Sequence, residues 1–485
     1  MAVNLSARDT MNFEQTKDFL QQHWNSWVLA TLQEYTKIPN VSPLFDPDWE
    51  SHGYMEQAAH LLVDSVSNVQ IQGINYRIER LPNCTPLILI EVAAFQNGHG
   101  NVLLYGHYDK QPAFTGWDDG KGPWSPVLEN GRLYGCGTGD DGYAIFSCLT
   151  AIASLQQQGC AHPRCVILIE GCEESGSPDL PTYMEHLKDE IGTPDVVVCL
   201  DAECGNYDQL WLTTSLRGVI SGTLHVHVLT EGIHSGAGGG IVPSSFRILR
   251  ALLERLETQK DGTMVEDFHE PIPSWVEEQS LEVATTLGET VLNRYPWSNP
   301  KSVFTKNLAT LVTANTWSPC LEIVGIDGVP RLQDAGNTLR PYTSAKISIR
   351  LPPNCDPKRI CTFVKQELER DTPHGAQVTF ELDAAESGWF SPEVQPWLND
   401  SLHAASNLFF GQPCKRMGTG GTIPFMKMLG NQYPDCQFVV TGVLGPHSNA
   451  HGPNEFLDLK TAERVTGCVS YLLNQVASGN HNIGA

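Results

Sequence analysis

Four short apolar runs in the first 210 residues restrict the folds open to this chain of 485 residues. Turn residues bound the runs, and amphipathic helical patterns over 142–159 and 179–192 lie between the later ones. Runs of this length suit central strands that are covered on both faces. Because strands and helices alternate, they predict an α/β domain with a mostly parallel sheet. The runs occupy residues 88–94, 101–106, 165–170 and 195–200.

The pattern changes after residue 212. Two amphipathic helical patterns and four strand patterns follow, and two of the strands alternate polar and apolar residues, as strands exposed on one face do. In chain order these are a strand at 219–229, a helix at 243–257, strands near 320–327 and at 344–351, a helix at 356–371 and a strand near 377–383. This β-α-β-β-α-β order predicts a ferredoxin-like α+β domain.

The first pattern returns after residue 385, with a helix near 394–409 and a buried strand at 437–443. One domain inserted into another accounts for this order. The prediction is an α/β catalytic domain in two parts and an inserted domain between them. The catalytic parts are residues 1–212 and 385–485, and the inserted domain is 213–384.

Charge and cysteine content narrow the functions open to the chain. It has 55 acidic and 31 basic residues, a formal net charge of −24, and no basic cluster that would bind a nucleic acid backbone. The 14 cysteines include no CxxC pair, which indicates reduced thiols in a cytosol. There is no apolar signal region, and no run of about 18 apolar residues that would form a membrane helix. We expect a cytoplasmic protein with neither nucleic acid nor membrane as partner.

Histidine and carboxylate residues follow the predicted strands, where open parallel sheets place their ligands. His107 and Asp109 end one strand and point to the same side, because side chains two apart in an extended segment share a face. The others are Asp140 and Asp141 in a glycine-rich turn, Glu173 and Glu174 after a strand, Asp201 at a strand end, and His447 and His451 in a loop. Each has an ordinary explanation alone, as a cap, a turn former or a solvated strand end. Together they indicate a metal site.

Histidine with Asp and Glu but without Cys suits Zn²⁺, with Mn²⁺ and Co²⁺ as competitors. Two ions about 3.5–4 Å apart clamp a carbonyl and the attacking water, and they need one shared carboxylate. Five ligands satisfy such a pair, and a sixth carboxylate next to a ligand is left to take a proton from water. The adjacent Glu173 and Glu174 can divide these roles.

The ordered motifs resemble those of the dinuclear zinc metallopeptidases, which include carnosinase-type and cytosolic non-specific dipeptidases, carboxypeptidase G and the aminoacylases. The resemblance covers nearly the whole chain, and the inserted domain with EGIHSGAGGG looks most like the dipeptidase branch. The motifs are GHYD (106–109), LYGxGxxDD (133–141), EExGS (173–177), the strand-end Asp201, HSG (234–236) and AHGPNEF (450–456).

The resemblance implies a set of metal ligands. One ion would be held by His107 and Asp201 and the other by Glu174 and His451, with Asp140 bridging both. His447 is the alternative to His451, but His451 matches the family position better.

The resemblance also implies catalytic and substrate-binding roles. Glu173 would be the general base and later the general acid, and Asp109 would orient His107. His234 would cross to the partner subunit of a homodimer and hydrogen-bond the developing oxyanion. Arg350 would hold the C-terminal carboxylate of the substrate, and Thr422 would line its pocket. The nearby His225 and His227 are interpreted as ordinary exposed residues.

The chain departs from the family pattern in two places. Cys136 stands where relatives usually carry Arg, and Gly142-Tyr143 replaces the usual Lys-Gly. Neither change removes a ligand, although both lie near the predicted bridging Asp140. They bear on substrate preference and metal affinity more than on the class of reaction.

The sequence therefore predicts a homodimeric metallo-exopeptidase that hydrolyses dipeptides through a hydroxide bridging two divalent metals, with zinc favoured over manganese and cobalt. One alternative is an amidohydrolase that deacylates N-acyl amino acids with the same metals and base. Whether the pocket accepts a free α-amine distinguishes the two, and the sequence leaves this open. Another alternative is a catalytically silent binding protein of the same fold. The complete set of ligands and base argues against it.

Overall fold

A computed structural model of the protein describes residues 11–299 and 303–479. The chain divides into two compact units. The first comprises the described residues up to Thr214, Ser391–Met417 and those from Met428 onwards, and the second comprises Ser215–Phe390 and Gly418–Lys427. The predicted boundaries place 418–427 in the catalytic domain, whereas its contacts group it with the second unit. That the second unit is a lid or dimerisation domain stays a prediction.

The first unit is built on a six-stranded sheet. In order across the sheet the strands are Ile74–Glu79, Leu87–Val92, Arg164–Glu170, Asn101–His107, Val196–Cys199 and Gln437–Val440. The last four run parallel to one another and are buried almost throughout, as their continuous apolar runs predict. The carboxyl ends of these four strands therefore meet at one edge.

The sheet is mixed, and one of its six strands departs from the predicted, mostly parallel arrangement. Leu87–Val92 runs antiparallel to both of its neighbours. Parallel neighbours need a crossover of about a dozen residues or more. The connection at 80–86 is shorter than that, so it cannot return the chain for a parallel pairing of Leu87–Val92 with Ile74–Glu79.

Helices cover the sheet of the first unit. The long helix Ala144–Gln158 is buried from Ala144 to Leu155 and ends at Gly159, which takes the left-handed conformation (φ 69°) that suits glycine. Ser147 and Ser154 bond Thr466 and Ser470 of the helix Leu459–Ala477, over 2.7 and 3.0 Å between hydroxyl oxygens. The other helices are Phe13–His23, Leu29–Thr36, Trp49–His52, Tyr54–Ser65, Leu180–His186, Lys188–Ile191 and Pro396–Phe410, with a π-helical turn at Trp24–Val28.

Shorter strands complete the first unit, and others lie where the chain passes between the two units. Val127–Glu129, Arg132–Tyr134 and Phe456–Asp458 form a three-stranded sheet beside the loops of the predicted site. The chain passes between the units within or next to the strands Trp211–Leu216, Trp389–Phe390 and Lys415–Thr419. No helix among the described residues is long and apolar enough to cross a bilayer.

The second unit has the β-α-β-β-α-β order that the sequence predicts. Its four strands are antiparallel and lie in the order Cys320–Asp327, Tyr342–Leu351, Gly218–His227 and Gln377–Glu386. The helices Ser245–Leu253 and Pro357–Glu369 share one apolar core with the sheet, while alternate residues of Gly218–His227 stay partly exposed. Elements outside the predicted set are the helices Ser235–Gly238, Ser274–Leu287, Thr290–Asn293 and Leu308–Thr316, and the paired strands Ile233–His234 and Thr338–Leu339. The helix Pro424–Gln432 begins in this unit and ends in the first.

Candidate metal centre

Three neighbouring parallel strands deliver acidic and histidine side chains to one edge of the sheet. His107 is the last residue of Asn101–His107, and Asp201 follows Val196–Cys199. Glu173 and Glu174 occupy a 3₁₀ turn just after Arg164–Glu170, and Asp140 lies in the turn before the helix Ala144–Gln158. The topology therefore assembles residues that are far apart in the chain.

Four of these side chains, together with His451 from a loop, form two groups, each suited to a cation. In each group the ligand atoms lie within 4.8 Å of one another, and Asp140 is common to both. The first group is His107, Asp140 and Asp201, and the second is Asp140, Glu174 and His451. A set of imidazole nitrogens and carboxylate oxygens fits two borderline divalent cations that share one carboxylate.

Asp140 presents a different oxygen to each group. Its Oδ1 lies 3.2 Å from Nε2 of His107, and its Oδ2 lies 3.0 Å from Nε2 of His451. The same nitrogen of His451 is 3.2 Å from Oε2 of Glu174, whereas Asp201 Oδ2 is 3.9 Å from Nε2 of His107. Asp140 therefore offers one oxygen to each group, which is the arrangement that a bridging carboxylate needs.

The cluster holds more carboxylates than its two histidines can neutralise. Burial would raise the pKa of the Asp140 carboxyl, but hydrogen bonds from His107 and His451 lower it below its ordinary value. Burial raises the pKa of Asp201 to about 7. Burial would lower the pKa of His451, but Asp140 and Glu174 raise it to about 12. Binding of divalent cations would displace the histidine protons and compensate the buried negative charge.

The Asp109 carboxylate contacts both His107 and the turn that carries Glu173 and Glu174. Its Oδ1 lies 3.3 Å from Nδ1 of His107, so it fixes the ring of a predicted ligand. The same carboxylate accepts hydrogen bonds from the backbone N–H groups of Glu173, over 3.1 Å, and Glu174, over 3.0 Å. One fully buried side chain therefore sets the position of His107 and of the glutamate turn.

Glu173 belongs to neither of the two cation groups found among residues 11–299 and 303–479. Burial raises the pKa of its carboxyl well above the ordinary value, and the nearby Asp201 and Glu174 raise it further. A carboxyl with a raised pKa next to a ligand can accept and return a proton near neutral pH. Its surroundings therefore differ from those of its neighbour Glu174.

Three residues that the sequence analysis did not assign also hold the site. Oε1 of the buried Glu455 accepts hydrogen bonds from the backbone N–H groups of Gly137, Gly139 and Asp140, over 3.0, 3.4 and 3.4 Å. Nε2 of Gln111 donates to Oε2 of Glu174 over 2.6 Å, and Asp141 accepts from the N–H of His107 over 3.2 Å. All three lie inside or beside the quoted motifs, which is the signal that could have identified them.

The two departures from the family pattern are accommodated in the interior. The thiol of Cys136 donates to the carbonyl of Gln111 over 3.5 Å. A Cβ at Gly142 would lie 2.4 Å from Tyr35, so a side chain does not fit there, and the Tyr143 hydroxyl donates to Leu200 O over 2.5 Å. The buried Lys110 lies beside Cys136 and donates to the carbonyls of Tyr35 and Ile38, each over 2.8 Å, and burial lowers its pKa to about 7.

The remaining predicted residues lie in the second unit. Arg350 donates from Nη1 to the Thr422 hydroxyl over 3.0 Å, so these two predicted substrate-binding residues are in contact. His234 is exposed and accepts the N–H of Gly236 at Nδ1 over 3.1 Å. A neutral His234 ring therefore carries its proton on Nε2, which donates to no group among the described residues.

His447, His225 and His227, which the sequence analysis also considered, belong to neither group. His447 is exposed and belongs to neither, so His451 is the loop histidine that contacts Asp140 and Glu174. His225 contacts Ser344 over 2.7 Å, and the ring of His227 stacks on Tyr342 with centroids 5.2 Å apart.

A mixed α/β unit with two carboxylate-histidine groups near its strand ends is suited to a metal-dependent hydrolase. The comparison of sequences gives the family. Residues 103–475 match the model of Peptidase family M20/M25/M40, and the chain belongs to that family. This confirms the resemblance drawn from the motifs.

Individual relatives are similar along most of their length. The chain is 25% identical to the Cysteinylglycine-S-conjugate dipeptidase of Corynebacterium striatum over 369 residues, which covers 75% of this chain and 78% of that protein. It is 25% identical to the Beta-Ala-His dipeptidase of Rattus norvegicus over 460 residues, 87% of each chain. The crystal structure of human carnosine dipeptidase 1 shares the fold with a TM-score of 0.79 at 20% identity, covering 97% of this chain and all of that one.

Proposed function

We propose that this protein is a metal-dependent dipeptidase with two divalent cations in each chain, for which the ligand types favour zinc. The observation that carries the proposal is the position of Asp140, which offers one oxygen to each of two ligand groups while Glu173 belongs to neither. The names of the relatives support dipeptides as the substrate class. The absence of disulfide bonds among the 14 cysteines, all free, supports the cytoplasm as its location.

The residues of the first unit would divide the work of peptide hydrolysis. His107 and Asp201 would hold one cation, Glu174 and His451 the other, and Asp140 both. When bound, the two cations supply Lewis acidity to the peptide carbonyl and to the attacking water. Glu173 takes the proton from the water and returns it to the leaving amine, a transfer for which a raised pKa is suited.

The residues of the second unit would bind the substrate. Arg350 holds the C-terminal carboxylate, because a guanidinium presents a planar fork of donors, and Thr422 lines the same subsite. His234 acts in the partner subunit of a homodimer, where its Nε2–H donates to the developing oxyanion. The hydrogen bond from Gly236 to Nδ1 supports this role, because it leaves the donor on Nε2.

The experiment that tests the function combines metal analysis with a substrate screen. Purified protein is expected to carry about two divalent ions per chain and to hydrolyse unmodified dipeptides. The matched compounds are the same dipeptides with an acetylated α-amine, and N-acetyl amino acids. Hydrolysis of N-acyl amino acids without hydrolysis of dipeptides would establish the amidohydrolase instead. Metal binding without turnover of either class would establish a silent binding protein.

A further inference from the structure

A second arginine lies beside the proposed carboxylate subsite. Arg217 is only 6% exposed and immediately precedes the strand Gly218–His227. The Thr422 hydroxyl donates to the carbonyl of Arg217 over 2.6 Å and accepts from Arg350 over 3.0 Å. Nη1 of Arg217 donates to Sγ of Cys320 over 3.4 Å, and Cys320 pairs with Arg350 across the sheet. Arg217 and Arg350 therefore belong to one cluster.

The two guanidinium groups lack a counterion. Within residues 11–299 and 303–479, neither Arg217 nor Arg350 forms an ion pair with a carboxylate. Arg217 instead donates to the carbonyls of Gly420, over 3.2 Å, and Ser318, over 3.1 Å. Burial lowers the pKa of Arg350, and the charge of Arg217 lowers it further. A buried and a half-buried cation side by side without an anion cost free energy that a bound anion would recover.

Donors remain for such an anion. Nη2 of Arg217 and both Nε and Nη2 of Arg350 donate no hydrogen bond to the described part of the chain. Nη2 of Arg217 faces Gly420, where a Cβ would lie 2.9 Å away, so a side chain at this position would crowd the donor. Asn315 lies 3.0 Å from the same point, so only glycine fits between the two residues.

We propose that Arg217 is a second cation of the subsite for the substrate's C-terminal carboxylate, acting together with Arg350. This inference rests on the proposed dipeptidase function and deepens it, since it makes the subsite selective for a terminal carboxylate over a terminal amide. Arg217 also positions Thr422 and the loop at Gly420 through its own hydrogen bonds.

Arg255 of the same unit is the control for Arg217, because it too bonds backbone carbonyls. It also donates to backbone carbonyls, those of Glu367, Arg370 and Asp371, over 2.7, 2.6 and 2.9 Å. It has no contact with Arg350 or Thr422 within the described residues. Arg255→Met therefore removes a comparable set of bonds without removing charge from the proposed subsite.

The test is the binding of two phosphinic dipeptide analogues that differ only at the C-terminus, one with a carboxylate and one with a carboxamide. Their affinities for the zinc-loaded full chain are measured by calorimetry. Arg217→Met is expected to weaken the carboxylate analogue on the order of 10- to 100-fold, the worth of a lost charge-assisted hydrogen bond. The carboxamide analogue is expected to change less than about threefold, within the range of a neutral contact. Arg217→Lys should keep more of the carboxylate preference than Arg217→Met.

Arg255→Met should lower the melting temperature and leave the ratio of the two affinities unchanged. A folded Arg217→Met with the wild-type ratio would overturn the inference and leave Arg217 a structural residue. If Arg217→Met does not fold, the milder Arg217→Gln is judged by the same ratio. Failure of the wild-type protein to bind either analogue would instead overturn the proposed function, and this subsite with it.

Discussion

Asp140 is the residue on which both cations are proposed to depend. Its two oxygens lie 3.2 Å from His107 and 3.0 Å from His451. Asp140→Ala should therefore lose most of both ions, because the bridging ligand of a two-metal site serves each of them. Elemental analysis of the purified variant after gel filtration measures this.

The matched control for that variant is Asp118→Ala. Asp118 is an acid of the same unit whose side chain is 66% exposed, and it belongs to neither ligand group. This variant should keep both ions. An Asp140→Ala protein that still held two tightly bound ions would rule out the bridging assignment.

Glu173 and Glu174 should behave differently although they are neighbours. Glu173→Gln is expected to keep both ions and to lose about 10²–10⁴ in rate, the usual contribution of a positioned proton donor and acceptor. Glu174→Gln is expected to lose one ion first, because Glu174 lies 3.2 Å from His451 in the second group. Metal content and kcat, measured on the same preparations, separate the roles. If Glu173→Gln were the variant short of metal, the two assignments would be exchanged.

At the scale of elements, the turn that carries Asp140 depends on the loop that carries His451. Gly137 takes a left-handed conformation (φ 78°), and a Cβ there would lie 2.6 Å from the side chain of Lys110. Oε1 of Glu455 accepts N–H groups from Gly137, Gly139 and Asp140, so one carboxylate holds this turn. The position of one metal ligand is thereby coupled to the loop of another.

Glu455→Leu should weaken the binding of both ions, because it leaves three buried N–H groups unsatisfied at a cost of about 1–3 kcal/mol each. Glu455→Gln keeps an acceptor oxygen and should lose much less. Metal affinity is measured by competition with a chromophoric chelator, and folding by thermal denaturation.

Asp458→Ala is the control for the loop. Asp458 follows in the same segment but accepts from Thr461 N, over 3.0 Å, as the N-cap of the helix Leu459–Ala477. Its loss should cost about 1 kcal/mol of folding free energy and leave metal affinity unchanged. Equal metal affinity in Glu455→Leu and Asp458→Ala would contradict the coupling.

At the scale of the whole molecule, the proposed homodimer makes a quantitative prediction about mixed subunits. If His234 serves the site of the partner subunit, Glu173→Ala and His234→Ala homodimers are each nearly inactive. A mixed dimer holds one site with both groups intact. Random pairing of equal amounts makes about half of the dimers mixed, so roughly a quarter of wild-type activity should return if the dimer follows two-fold symmetry. Activity is measured after the subunits have been mixed and allowed to exchange.

Exchange itself is verified with differently tagged chains that are co-purified after mixing. If His234 acts within its own chain, every site lacks one group and no activity returns. The absence of recovery after demonstrated exchange would therefore end the proposal of action across the interface. The two cation groups of the first unit would be unaffected by that outcome.

Local sequence patterns predict the main helices and strands and the types of ligand at the candidate site. The predicted helix 142–159 and strand 101–106 agree closely with Ala144–Gln158 and Asn101–His107, because apolar periodicity is a local property of the chain. Ligand types were also readable, since polar residues placed after buried strands converge at the carboxyl edge of a parallel sheet.

Which side chains contact one another depends on how distant segments of the chain pack together. Glu455 and Gly137 are 318 residues apart in the chain, and no periodic pattern relates them. The antiparallel pairing of Leu87–Val92, the double contact of Asp109 and the hydrogen bond from Thr422 to the Arg217 carbonyl are of the same kind. The apolar periodicity of a segment indicates how that segment buries its own apolar surface. Partners for buried polar groups are set when distant segments pack together, because each buried donor or charge must then be satisfied by whatever lies opposite it.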